Sequence, residues 1–258
     1  MDRPSTKARH DIQGSTCKKT LIVFTVGRTG SSWLCIGLYK IGIGVPMEYF
    51  HTNHRVDLNT RGVGKLQRTE EELHNYIATL EKVRTTQNGI FGTKIHNHQW
   101  MKSLSFSGEE VLKDREKYIR SLSTAFTNPH FVFLYREDLL EQSISMYIAG
   151  ESQAWSSEKP KKKEVAYNFG GIYKTLQFIS DGIQRCKWIE KNIQCPKMVV
   201  TYEELESDYN GILQKIADFV DVKVEIPVDI ANASISKQRS PERTRLWKNK
   251  FLKDFEQR

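Results

Sequence analysis

The chain reads as an α/β protein with a doubly wound, mostly parallel central sheet flanked by helices. Two observations predict this class. Four short apolar runs, residues 20–26, 89–95, 131–135 and 198–202, have strand length and the continuous hydrophobicity of strands covered on both faces. Amphipathic stretches of helix length alternate with them, and strands alternating with helices imply parallel strands joined by helical crossovers. A chain of 258 residues is long enough for one such domain with its own core. We place that domain at residues 19–258, behind a polar leader at residues 1–18 that is expected to be flexible.

The first strand is β-branched and apolar and ends in a turn at residues 27–30 that holds Gly27 and Gly30. A helix follows over residues 31–41, with Leu34, Leu38 and Ile41 at helical spacing and Gly42 placed to leave it in the left-handed conformation. Thr69 with Glu72 and Ser107 with Glu110 have the spacing of capping boxes, so a helix is expected to start at each. Helices are further predicted over residues 139–154, 172–193 and 209–220. A last one has Ser240 as N-cap and Pro241 at its first position. Residues 156–164, SSEKPKKKE, are predicted to be a flexible loop. Its lysines, Lys159 to Lys163, are read as solvated surface, with a lid over an anionic substrate as the lesser alternative.

A net charge of +8, from 39 Lys and Arg against 31 Asp and Glu, favours an anionic partner without choosing between nucleotide, nucleic acid and sulfated polymer. The first residues are polar, without the apolar stretch of a signal peptide, and residues 21–26 are too few to cross a bilayer. A cytoplasmic protein with no membrane span is therefore expected. Cys17, Cys35, Cys186 and Cys195 match neither a redox pair nor a zinc cluster and are expected to be reduced, with Cys35 and Cys186 as small buried hydrophobes.

The sharpest local signal is Gly27-Arg28-Thr29-Gly30-Ser31-Ser32-Trp33, between the first strand and its helix. A turn there aims successive backbone N–H groups and the positive helix end at one point, which is an anion site. Arg28 adds fixed charge and forked donors, and Ser31 and Ser32 add hydroxyls. An ATP-binding P-loop needs a Lys directly before its Ser or Thr, and Gly30 stands there instead. The GxGxxG spacing of a dinucleotide site is also missing.

This loop resembles the 5'-phosphosulfate loop of sulfotransferases that use 3'-phosphoadenosine 5'-phosphosulfate (PAPS). Val45-Pro46-Met47-Glu48-Tyr49-Phe50 resembles the PxEYF segment of the bacterial trehalose 2-sulfotransferase-like family. Three later segments, Gly89 to Lys94, Leu134 to Asp138 with Gln142 and Ser145, and Val200 to Leu205, agree in order and spacing. The resemblance runs from about residue 21 to the C-terminal helix.

The resemblance implies a P-loop-like sulfotransferase fold and transfer of a sulfuryl group from PAPS to the hydroxyl of a small molecule or glycolipid, in particular a carbohydrate, without a metal. It implies that Arg28, Thr29, Gly30, Ser31, Ser32 and Trp33 hold the 5'-phosphosulfate, with Trp33 offering its face to the adenine or packing in the core. Arg136 and Ser145 would hold the 3'-phosphate. Ser145 lies one position further from Arg136 than is common in sulfotransferases, so Ser143 is kept as an alternative, as is an ion pair of Arg136 with Asp138 or another acid. Lys237 and Gln238 lie in a basic loop like the one that closes on the nucleotide or acceptor. Glu48 takes the role of general base, with Arg28 beside it at the reaction centre. Glu48 follows Pro46 in an apolar stretch, and partial burial there would raise its pKa from ~4.3. His51 and His54 are rival bases. Tyr49, Phe50 and Lys94 are candidates for the acceptor side, and Trp100, Trp155 and the histidines around His96 could line its pocket. A homodimer is one assembly the resemblance implies. Two other functions are weighed: a nucleoside or sugar kinase, against which the missing P-loop lysine counts, and a non-enzymatic polyanion binder. No nucleic-acid-binding motif is present, so nucleic acid is not expected as a partner.

Overall fold

The computed structural model describes residues 4–12, 14–54, 58, 69–104, 114–155, 163–226 and 241–257. Four strands, β1 (Lys19–Thr25), β2 (Ile90–His96), β3 (Pro129–Tyr135) and β4 (Lys197–Thr201), form one sheet of order β2-β1-β3-β4. All three pairings are parallel, with Thr25 opposite His96 on one side and Leu134 on the other. The central strand is apolar at every position from Leu21 to Phe24, and alternate residues serve two cores. Ile22 and Phe24 belong to one and Leu21 and Val23 to the other. A strand feeding two cores must be apolar throughout, which is the pattern that predicts a doubly wound sheet.

The first core is closed by α2 (Glu70–Arg84), α3 (Asn97–Ser103), α4 (Arg115–Thr124) and α6 (Phe169–Asn192). The second is closed by α1 (Ser31–Lys40), the short α7 (Tyr202–Ser207) and α8 (Tyr209–Phe219). A smaller cluster joins α5 (Leu139–Ser152), the start of α6 and α9 (Pro241–Glu256) through Ile144, Ile172 and Phe251.

Element ends follow their caps. Gly42, with φ of 77°, turns the chain out of α1, and the Thr69 hydroxyl accepts from the Glu72 N–H to start α2. The Asn168 side chain accepts from the Gly171 N–H, so α6 begins three residues before its apolar stripe does. Two short helices, α3 and α7, continue directly from β2 and β4 and were not expected. Ser107, Glu110, Ser240 and most of the 156–164 segment lie outside the described residues. Among the described residues α4 begins at Arg115 behind Asp114, whose carboxylate accepts from the Lys117 N–H.

Part of the leader lies against α2. Arg84, fully buried, donates to the carbonyls of Ser5, Thr6 and Lys7 and sits 2.8 Å from a carboxylate oxygen of Asp11. The four cysteines are free, and burial pushes the thiols of Cys35 and Cys186 up to about 12. Among the described residues no helix is long and apolar enough to cross a membrane.

Candidate active site

The strand order reverses about β1, whose neighbours β2 and β3 lead onward in opposite directions. Ligands of open α/β sheets sit at such a point, outside the carboxyl ends of the strands. The turn 26–30 leaves β1 there. Arg28 and Gly30 both hold positive φ, 70° and 79°, and Gly30 is the N-cap of α1. Gly30 is also spatially required, since a Cβ would lie 2.8 Å from the Tyr202 ring. A non-glycine residue in this conformation is strained, and Arg28 is held in it by its side chain. Its Nε donates to Ser145 Oγ at 3.1 Å and its Nη1 to the Trp155 carbonyl at 3.3 Å. Gln142 Nε2 donates to the Gly27 carbonyl at 2.7 Å, which ties α5 to the turn. Thr29 is buried, and its hydroxyl bonds Thr25 Oγ1 and the Val26 carbonyl, so only its backbone remains for a ligand.

Arg136 directly follows β3, is 2% exposed, and lies 4.4 Å above the Tyr202 ring. Its Nη2 pairs with Glu141, whereas Nε and Nη1 are buried without a hydrogen-bond partner among the described residues. An acid therefore does take Arg136, but it is Glu141; Asp138 caps α5 and pairs with Lys248. Ser145 is one turn beyond Glu141 on the same face of α5, and its Oγ accepts from Arg28 of the turn 27–30. Ser143, the alternative, is fully buried and donates to the Leu139 carbonyl. The Tyr202 ring lies between Gly30 and the Arg136 guanidinium.

The third element is the segment after α1. Met47 forms a bridge with Thr93 of β2, and the Lys94 N–H donates to the Met47 carbonyl at 2.9 Å. This places Glu48 beside the end of β2. Lys94 Nζ lies 2.7 Å from Glu48 Oε1 and donates to Ser32 Oγ at 3.1 Å, so one ammonium connects the carboxylate to the loop. His96 Nε2 is 3.5 Å from Glu48 Oε1, and Gln99 Nε2 donates to Glu48 Oε2 at 2.6 Å.

The raised pKa expected for Glu48 is not found. Burial does push it up, but the Lys94 ammonium and then His96 outweigh burial and hold the carboxyl far below the usual carboxylate range. Lys94 answers in the opposite sense: burial is the largest influence and lowers its pKa, Glu48 and Cys35 raise it, and the net direction is up. Both groups are therefore charged at neutral pH.

Other expected residues fall elsewhere. Tyr49 and Phe50 are 0% and 1% exposed and belong to the core, where the Tyr49 hydroxyl donates to the Val45 carbonyl. They support the Glu48 segment and do not face an acceptor. Trp100 is equally buried. Trp33 stacks on Tyr209 with ring centroids 4.6 Å apart, so that face of the indole is taken. His54 Nδ1 contacts the Glu48 carbonyl at 3.0 Å, and His51 accepts from the Asn53 N–H. Lys237 and Gln238 lie outside the described residues. Gln99, Gln142 and Tyr202 were not singled out for a role; the last two stand within motif segments, while Gln99 follows the strand end His96 by three positions with no motif of its own.

Two solved structures of similar fold are a sulfotransferase from Alicyclobacillus acidocaldarius, 11% identical over 93% of both chains with a TM-score of 0.48, and the sulfotransferase domain of the curacin biosynthetic pathway. The latter is 12% identical over 83% of this chain and 76% of that one, with a TM-score of 0.46. A search of curated proteins found no match. The model of the Stf0 sulphotransferases matches residues 20–254, from β1 into α9 and across every element of the site. The chain belongs to the Stf0 sulphotransferase family, and its activity is sulfuryl transfer to a small-molecule acceptor.

Proposed function

We propose that the protein transfers the sulfuryl group of PAPS to a carbohydrate hydroxyl, with Glu48 as general base. The observation that carries this reading is the Lys94 ammonium, which contacts both Glu48 Oε1 and Ser32 of the anion loop. This contact supports a common centre for the carboxylate and the loop at residues 27–33.

The residues fit such a donor. The turn 27–30 with the start of α1 suits its phosphosulfate, and the two unpartnered nitrogens of buried Arg136 suit a further phosphate. The donor supplies the sulfuryl group and a bisphosphate leaving group. In balance, the acceptor O–H bond breaks, an O–S bond forms, the S–O bond to the 5'-phosphate breaks, and the proton passes to Glu48. Arg28 and Lys94 supply fixed positive charge where the leaving oxygen gains negative charge. Gln99 holds Oε2 and Lys94 holds Oε1. Glu48 is ionised in the resting protein but is a weak base while Lys94 holds it; when Lys94 turns towards the donor's charge, Oε1 is released and the carboxylate becomes basic enough to take the proton.

The test is transfer of labelled sulfuryl from PAPS to a set of methyl glycosides, with the affinity for adenosine 3',5'-bisphosphate measured alongside. Glu48→Gln should lose turnover by at least ~10²-fold and keep bisphosphate affinity. Near-normal turnover in that variant removes Glu48 as base, and a wild-type protein that ignores the bisphosphate removes the donor.

A further inference from the structure

Arg136 needs a counter-ion whether or not a nucleotide is bound. It is buried, and a guanidinium cannot shed its charge. Left unpaired, such a buried charge is strongly destabilising. The counter-ion is Glu141, whose carboxylate meets Nη2 alone, while Nε and Nη1 have no hydrogen-bond partner among the described residues. Neighbouring acids have other contacts. Asp138 accepts from the Glu141 N–H and pairs with Lys248, and Glu203 accepts from the Glu137 N–H. The side chain of Glu141 is 31% exposed against 1% for Arg136, so the carboxylate can turn out to water and the guanidinium cannot. Glu141 also lies one turn before Ser145, whose Oγ accepts from Arg28, so it stands on the face of α5 that meets the turn 27–30.

Resting on the donor reading above, we infer that Glu141 holds the place of the donor's 3'-phosphate on Arg136 and is displaced by it, and that Glu141 thereby sets how tightly a 3'-phosphorylated nucleotide binds. The carboxylate brings one charge and satisfies one of the three guanidinium nitrogens. A phosphate monoester brings about −1.5 to −2 charges and three acceptor oxygens, enough to take Nε and Nη1 as well. The exchange favours the phosphate, but the lost ion pair is subtracted from its affinity. A ribose 3'-hydroxyl carries no charge with which to displace a carboxylate, so a nucleotide without the 3'-phosphate leaves the pair intact. Glu141 therefore acts on one class of nucleotide only. Donor and bisphosphate product share the 3'-phosphate, and Glu141 weakens both alike.

Calorimetric titration of the wild type and Glu141→Gln with adenosine 3',5'-bisphosphate and with 5'-AMP tests this, alongside thermal unfolding without nucleotide. Glutamine keeps the shape and an acceptor oxygen but not the charge. The variant should bind the bisphosphate roughly tenfold or more tighter, bind 5'-AMP as the wild type does, and unfold at a lower temperature when empty. A residue that only supports the fold would not move stability and affinity in opposite directions. Unchanged or weaker bisphosphate binding, an equal gain for 5'-AMP, or an unchanged unfolding temperature overturns the exchange. Glu141→Asp keeps the charge and draws it back by one methylene, and serves where the glutamine variant does not fold. It should also tighten the bisphosphate, and unchanged or weaker binding there overturns the exchange in the same way. A wild type that ignores the bisphosphate removes the donor reading and this inference with it; a wild type that binds it, with no gain in Glu141→Gln, removes the exchange alone.

Discussion

Glu48 is subject to two opposing influences. Burial, the largest single influence, favours its neutral form; the Lys94 ammonium at 2.7 Å and His96 favour the charged one and together outweigh it. Because its folded pKa is depressed, Glu48 adds stability above the ordinary carboxylate pKa of ~4.3. That stability is lost as pH falls through the folded value. For the same reason kcat/KM, which reports the free enzyme, should show no acid limb from this carboxylate between pH ~5 and 8. Lys94→Met removes the largest lowering influence and leaves burial in place, so the carboxyl pKa should rise from its depressed value. The residual kcat/KM should then show its acid limb at a higher pH than in the wild type, and the destabilisation should be greatest at neutral pH and shrink as Glu48 of the variant becomes protonated. A pH–rate profile of unchanged shape in Lys94→Met would refute the coupling. The sequence singled out Glu48 and Arg28 because each sits in a short contiguous pattern. It misjudged the sign of the Glu48 shift because the deciding cation arrives from β2, more than forty positions away, by a pairing that no local pattern encodes.

At the scale of elements, the site depends on how the segment from Ile43 to Glu48 crosses β2. Gly44 has φ of 70°, and a Cβ on it would lie 2.4 Å from the Gly92 N and 2.6 Å from the Gly92 Cα. Two glycines thus allow two backbones to touch, and that contact fixes the Met47–Thr93 bridge and with it Glu48. Gly42 provides the control, since it has φ of 77° with nothing within 4 Å of a Cβ. Gly42→Ala should cost only the left-handed strain, ~1–2 kcal/mol. Gly44→Ala should add overpacking, ~1–3 kcal/mol more, and should lower kcat more than bisphosphate affinity. Urea unfolding of both variants measures the difference, and equal costs would mean that the crossover is not tightly packed. The four strands were legible to within two residues; β1 and β3, buried along their lengths, are near-continuous apolar runs, whereas β4, with Val199 45% exposed, was legible only as a short β-branched run between helices. The short α3 and α7 were not, because six or seven residues carry too little periodicity and both begin where a strand ends.

Over the whole molecule, the N-terminal segment is linked to the site through one buried cation. Arg84 of α2 donates to three carbonyls of residues 5–7, pairs with Asp11, and lies 6.0 Å from the centroid of Tyr49, the residue next to Glu48. In the sequence these first residues look like an unstructured leader, because they are polar and short of apolar residues. Their docking is specified by backbone carbonyls, which every sequence has, and by an arginine more than seventy positions away. Removing residues 1–12 should leave the Arg84 guanidinium buried and without these partners. An uncompensated buried charge costs ~3–5 kcal/mol, or about 6–20 °C in Tm for a domain of this size. Arg84→Leu in the shortened chain should recover part of that loss, since a buried leucine needs no partner, whereas in the full-length chain the same change should destabilise by stranding the three carbonyls and Asp11. Thermal unfolding of the four proteins forms a double-mutant cycle. A coupling of more than ~1 kcal/mol with these signs makes the segment an integral part of the fold; additive effects, or a shortened chain that unfolds at the wild-type temperature, would show that Arg84 is satisfied without it.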